Sequence, residues 1–153
     1  CNGCQLMVEL GLLTPDHEQK PKMRHNDSHK FESQFIGLTI PENNSVMFGS
    51  LSGSKLGIWV AHGEGKFELP YAKERYNIVA QYTYDAYPAN PNGSPYGIAG
   101  SADGRHLAMM PHLERAIFPW QCGHYPADRK TDEITPWIEA FVNARKWVEH
   151  HTK

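Results

Sequence analysis

Residues 1–13 read CNGCQLMVELGLL: a cysteine, then Asn2 and Gly3, then Leu6, Met7, Leu10 and Leu13 near helical spacing, with Gly11 as a stop. The pattern predicts a short helix starting just after Cys1. It fits the second half of a nucleophile elbow, the sharp strand-to-helix turn that lifts a side chain above a sheet, and small Gly3 lets such a turn close. Unpaired N–H groups and the dipole at a helix N-terminus favour thiolate over thiol, so Cys1 is the candidate nucleophile. Cys4, three residues into the helix, stands where a small apolar thiol usually packs.

Beyond this helix, Thr14 to Ser33 is polar and broken by Pro15 and Pro21, and reads as a loop leading into a strand near residues 35–40. The middle third alternates short β-rich runs with turn chemistry: 57–61, 65–69, 78–84, 97–100 and 106–110. Asp103 and Gly104 are a hairpin signal between the last two runs. The segment between Tyr84 and Ile98 is dense in Pro, Asn and Gly and predicts a loop of unusual backbone geometry. At the end, Thr135 and Pro136 make an N-cap and first-turn pair, and Trp137, Ile138, Phe141, Val142 and Val148 build an apolar helical face. Helix, strands and terminal helix in this order read as the back half of an α/β chain.

The 153 residues, 40% hydrophobic and 21% charged, suffice for one domain with a core but not for two. A formal net charge of −2 offers no basic surface for nucleic acid. No apolar run approaches the roughly 20 residues of a membrane span, and the expected compartment is the cytoplasm. Three cysteines are too few and too odd in number for a disulfide scaffold. A first residue that is Cys rather than Met leads us to expect a processed product or a fragment of a longer chain.

The second chemical signal is MMPHLER. At the end of a strand, two residues two apart point the same way, so Glu114 can hold one imidazole nitrogen of His112 while the other faces a thiol. Cys1, His112 and Glu114 then make a nucleophile, base and orienter set. An isolated HxE pair is weak evidence; CNGCQ upstream gives it weight.

CNGCQ and PHLER in this order resemble the class I, or triad, glutamine amidotransferases, and more narrowly the C-terminal glutaminase domain of the phosphoribosylformylglycinamidine synthase family. RHNDSHKFES from Arg24, AHGEGKFE from Ala61, YPANPNGSPYGIAG from Tyr87 and TPWIEAFVNARK from Thr135 extend the likeness over nearly the whole chain. The resemblance implies a flavodoxin-like α/β fold, cut before the elbow. It also implies hydrolysis of glutamine through a thioester on Cys1, with His112 and Glu114 as partners, and Gln5, His62, Gly63 and Glu64 at the substrate. The ammonia would pass to a synthetase region that uses ATP and Mg to convert formylglycinamide ribonucleotide to formylglycinamidine ribonucleotide. No cofactor or metal is expected in this domain. Leu113 replaces a Pro common in relatives, and the strand and Gly-rich oxyanion loop expected before Cys1 are absent from the sequence, which predicts poor hydrolysis by this chain alone.

Other residues carry plainer expectations. Arg24, Asn26, Ser28 and Phe31 match a pattern recurrent in the resembled family, which implies that they shape a loop near the site, while His25, Asp27 and His29 are a solvated loop rather than metal ligands. Asn92, Gly93 and Ser94 signal a turn. Trp59, Trp120, Trp137 and Trp147 are expected in packing or an interface. Two other functions fit parts of the pattern: an N-terminal-nucleophile amidohydrolase using the Cys1 amine as base, and a zinc or redox module of Cys1, Cys4 and Cys122.

Overall fold

The computed structural model describes residues 1–101 and 104–152, the side chains of 99–101 excepted. Helix α1 spans Asn2–Glu9, and β-strands follow at Lys22–Arg24 (β1), Glu32–Thr39 (β2), Lys55–His62 (β3), Lys66–Glu68 (β4), Ile78–Tyr82 (β5), Ile98–Ser101 (β6) and Ala108–Met109 (β7). Helix α2, Ile138–His151, closes the chain. The larger sheet has the order β3-β2-β5-β6-β7, and β1 pairs with β4 in a separate ribbon. Every described pairing is antiparallel.

The strands form where β-branched and aromatic residues alternate with smaller ones. Along β3, Ile58, Val60 and His62 are buried on one face, and on β2 Glu32, Ile36 and Leu38 are buried opposite them. Glu32 pairs with His62, Ile36 with Ile58 and Leu38 with Leu56. The apolar part of this face joins Phe48, Leu51, Leu113, Ala116 and Trp137 in the main core. A second cluster unites Cys4 and Val8 of α1 with Phe67, Ile78, Ile98 and Met110, which docks the N-terminal helix.

Several expectations change in detail. The stretch predicted as an unbroken loop contains β1, whose Lys-Met-Arg sequence has little intrinsic β preference and extends because β4 supplies a partner. β2 begins at Glu32, three residues before the predicted start, and β5 stops at Tyr82 rather than Tyr84. The predicted strand 106–110 contracts to Ala108–Met109. Gly104 has φ +97°, as a turn glycine does, whereas Asp103 lies outside the described residues. The apolar stripe of α1 also moves: Cys4 and Val8 are buried, while Leu6 and Leu10 face solvent at 56% and 58% exposure. Four-residue spacing selects the docked stripe, and Leu10 already stands at the helix end, before Gly11 reverses the chain at φ +70°.

The terminal helix starts from the N-cap Trp137, two residues beyond the predicted N-cap Thr135. Thr135 Oγ1 donates to the Ala116 carbonyl and accepts from the Trp137 N–H, and Trp137 Nε1 donates to the Gly57 carbonyl at 2.9 Å. Trp137 and Ala140 form its buried contacts, whereas Phe141 and Val148 are exposed, contrary to the predicted apolar face. Trp120 is 79% exposed and stacks on Phe118, outside any packing in this chain. Among the described residues, no helix is long and apolar enough to cross a membrane.

Candidate active site

Cys1 stands at the N-cap of α1, exposed, and its carbonyl accepts the first helical bond from Gln5 N–H at 3.1 Å. Its side chain makes no capping hydrogen bond, and the residue stands at a helix start, a position whose unpaired amides favour an anion. Cys4, one turn on, is 6% exposed, and burial pushes its thiol up to about 12, only partly opposed by the N-terminal ammonium. It is a packing residue, as its spacing predicts. Cys122 is half-buried, with its thiol also raised by burial.

His112 follows β7 and is pinned by its backbone. Its N–H donates to the Trp59 carbonyl at 2.8 Å, forming an isolated antiparallel bridge to β3, while Trp59 Nε1 donates to the Gln121 carbonyl at 2.7 Å. Leu113 is buried and opens a 3-10 turn over Leu113–Arg115, which swings Glu114 back under the imidazole. His112 Nδ1 and Glu114 Oε1 are 2.6 Å apart, with the His112 side chain 20% exposed and Glu114 58%. The other ring nitrogen, Nε2, is left for a reacting group. Arg115 Nε lies 3.9 Å from the same carboxylate oxygen.

Gln5 and the His62–Glu64 turn, far apart in sequence, meet: Gln5 Nε2 donates to the Glu64 carbonyl at 3.1 Å. Asn2, Gln5, Leu6, Arg24 and Glu64 are among the residues lining an open cleft of about 450 Å³, a size suited to a small ligand, whose lining includes neither Cys1 nor His112. Arg24 is paired with Glu68 at 2.6 Å on its rim, and His25 Nδ1 is 3.7 Å from Glu64 Oε1.

The turn itself is held by Asn26, which is fully buried. Its Nδ2 donates to the carbonyls of Lys30 and His62, at 2.9 and 2.8 Å, and its Oδ1 accepts from the Gly65 N–H at 3.0 Å. Its own N–H donates to the Gly63 carbonyl at 2.9 Å. Those carbonyl partners fix the orientation of the amide, so the His62 Nδ1 that lies 3.1 Å from Oδ1 carries the proton. His62 has no exposure, and burial holds its imidazole down to about 4, with the N-terminal ammonium and His112 acting in the same sense. A side chain at Gly65 would strike the His62 ring, so a glycine is required there.

The sequence marks Asn26 only as one of several loop-shaping residues; its part as the hub of the turn emerges from the fold. Glu32 was not singled out at all, and a lone carboxylate opening a strand carries no signal. Lys66 Nζ donates to Asp27 at 2.7 Å, which ties the Asn26 loop to β4. The turn at Asn92–Ser94 forms, with Gly93 at φ +78° and Asn92 Nδ2 donating to Tyr82 Oη at 2.8 Å. Among the described residues, no three His, Cys, Asp or Glu side chains converge as metal ligands, the CxxC pair and His25–His29 included.

The sequence signature of the CobB/CobQ-like glutamine amidotransferase domain matches residues 1–148. The chain belongs to that family. Curated relatives include a probable phosphoribosylformylglycinamidine synthase, chloroplastic/mitochondrial, of Arabidopsis thaliana, 41% identical over 97% of this chain, and the phosphoribosylformylglycinamidine synthase of Homo sapiens, 38% identical over 97%. This amidotransferase chain spans only 12 to 13% of the length of those two relatives. Among solved structures, PurLQS from Thermotoga maritima superimposes with a TM-score of 0.71 at 26% identity, covering 96% of this chain and 59% of that one. The coarse expectation of a small α/β amidotransferase domain therefore holds.

Proposed function

We propose that this amidotransferase domain hydrolyses glutamine to glutamate and ammonia through a thioester on Cys1. The observation that carries the reading is the His112–Glu114 pair, 2.6 Å apart, rigidly hung on β3 in a domain whose N-terminal helix begins at an exposed cysteine. Glu114 orients the imidazole and stabilises its protonated form; His112 Nε2 takes the thiol proton and returns it to the leaving nitrogen. The Cys1 thiolate attacks the side-chain amide carbon, the C–N bond breaks with release of ammonia, and water then cleaves the thioester to glutamate. Gln5 and the His62–Gly63–Glu64 turn, joined by the Gln5–Glu64 bond, present polar atoms to the α-amino and carboxylate groups in the cleft that Gln5 and Glu64 line.

The relatives named phosphoribosylformylglycinamidine synthase support a wider reading, in which the ammonia serves an ATP- and Mg-dependent synthetase region that converts formylglycinamide ribonucleotide to formylglycinamidine ribonucleotide in purine biosynthesis; the few cysteines, odd in number, support a reducing compartment such as the cytoplasm. In that arrangement this chain is the glutaminase part, with a flavodoxin-like fold. The test is glutamate release and labelling by a glutamine-like electrophile, with the chain joined to an upstream segment of a relative. Cys1→Ala and His112→Ala should abolish both, and Cys4→Ala should retain both. Loss on Cys4→Ala with retention on Cys1→Ala would overturn the assignment.

A further inference from the structure

Buried polar atoms almost always find partners, so two that lack them at one place point to something missing. His62 and Glu32 face each other across β3 and β2 in direct register, which brings their side chains to the same face. His62 is fully buried and Glu32 is 9% exposed. Among the described residues, neither His62 Nε2 nor Glu32 Oε1 has a hydrogen-bond partner. Both atoms are acceptors: Asn26 holds the His62 proton on Nδ1, which leaves a bare lone pair on Nε2. The imidazole stays neutral because burial opposes its charging. Two neighbouring acceptors without a protein partner call for a small donor of N–H or O–H bonds.

Their position says which donor. His62 lies within electrostatic reach of both the N-terminal ammonium of Cys1 and His112, and its carbonyl side continues into the turn that Gln5 grips. From this geometry we infer that His62 Nε2 and the Glu32 carboxylate form a receptor for the nitrogen released in the reaction, ammonia or ammonium. The inference rests on the glutaminase reading, which supplies the ligand. No new covalent step is involved: the leaving nitrogen, protonated once through His112, donates N–H bonds to the two acceptors and is held away from the thioester carbon that water must reach. A cation gains in addition from the carboxylate, which favours ammonium over a water molecule at the same place.

The receptor can be read without catalysis. In the chain with 15N-labelled histidine, the Nε2 resonance of His62 should move saturably as ammonium chloride is added. Sodium chloride or tetramethylammonium chloride at equal ionic strength should leave it in place, because neither cation has N–H donors. Glu32→Gln should weaken the ammonium midpoint about tenfold or more, the loss of one charge-assisted hydrogen bond. A His62 resonance that ignores ammonium, or that responds equally to tetramethylammonium, overturns the receptor and leaves a trapped water as the occupant. This readout needs only the parent chain, so it stands even if Glu32→Gln does not fold. Cys1 labelling by a glutamine-like electrophile reports separately: ammonium binding with no labelling would sink the glutaminase reading, and labelling without ammonium binding would sink only the receptor.

Discussion

Nδ1 of His112 lies 2.6 Å from Oε1 of Glu114, and the residue between them, Leu113, is buried in the main core. The hydrogen-bonded pair is thus fastened from below by packing and from the side by the bridge to Trp59. Replacing the carboxylate should disturb orientation and charge without moving the imidazole far. Glu114→Gln is expected to lower kcat for glutamate release about a hundredfold with little change in KM. A rate equal to the parent's would remove Glu114 from the reaction.

Gln5 should act on binding. Its bond to the Glu64 carbonyl joins the nucleophile helix to the turn across the cleft. Gln5→Ala is expected to raise KM for glutamine about tenfold while kcat changes less, as loss of a single polar contact implies. Steady-state kinetics at saturating and limiting glutamine separate the two parameters, and an unchanged KM contradicts the role.

The cysteines should differ in reactivity. Cys1 is exposed at a helix start, whereas Cys4 is buried with its thiol pushed up to about 12, which leaves about one thiolate in ten thousand at pH 8. Iodoacetamide should modify Cys1 at least about a hundredfold faster than Cys4, and denaturant should erase the difference. Peptide mapping by mass spectrometry reads both rates; rapid native modification of Cys4 would contradict its burial.

Stability should fall in mild acid. His62, held down to about 4 by burial, stays neutral in the fold while the unfolded chain takes up a proton below about pH 6.5. The unfolded state then binds more protons, so stability is full above about 6.5, declines as pH falls toward 4, and levels off below that for this group. The loss is on the order of 2 to 3 kcal/mol. Urea unfolding at pH 7.5 and 4.5 measures the difference, and His62→Gln should flatten it.

Asn26 should matter more to folding than to chemistry. It is fully buried, and its side chain serves Lys30, His62 and Gly65 at once. Asn26→Ala strands these groups and should cost about 3 kcal/mol in urea unfolding. A cost under about 1 kcal/mol, the net worth of one ordinary hydrogen bond, would mean that water replaces the amide.

The local signals in the sequence translated well where the chemistry is local. Helix α1, the glycine turn at Gly11, the Asn92–Ser94 turn and the His112–Glu114 pairing all depend on residues a few positions apart. Elements that depend on a partner were misjudged or missed. β1 extends only because β4 lies beside it, and the docked face of α1 is Cys4 and Val8 because the Phe67–Met110 cluster lies under them. Phe141 and Val148 satisfy helical periodicity, yet no element of the described chain covers them, and period alone says which residues align without saying which side meets a core.

The helix start after Cys1 and the imidazole–carboxylate pair of PHLER were legible in the sequence, because a capping position and a two-residue spacing determine their geometry over a few covalent bonds. Tertiary structure alone decided that Gln5 meets Glu64, that Asn26 is the hub of the turn, and that Glu32 faces His62 across the strand pair. Strand register and burial join residues tens of positions apart, and both arise from the packing of the whole chain rather than from any stretch of it.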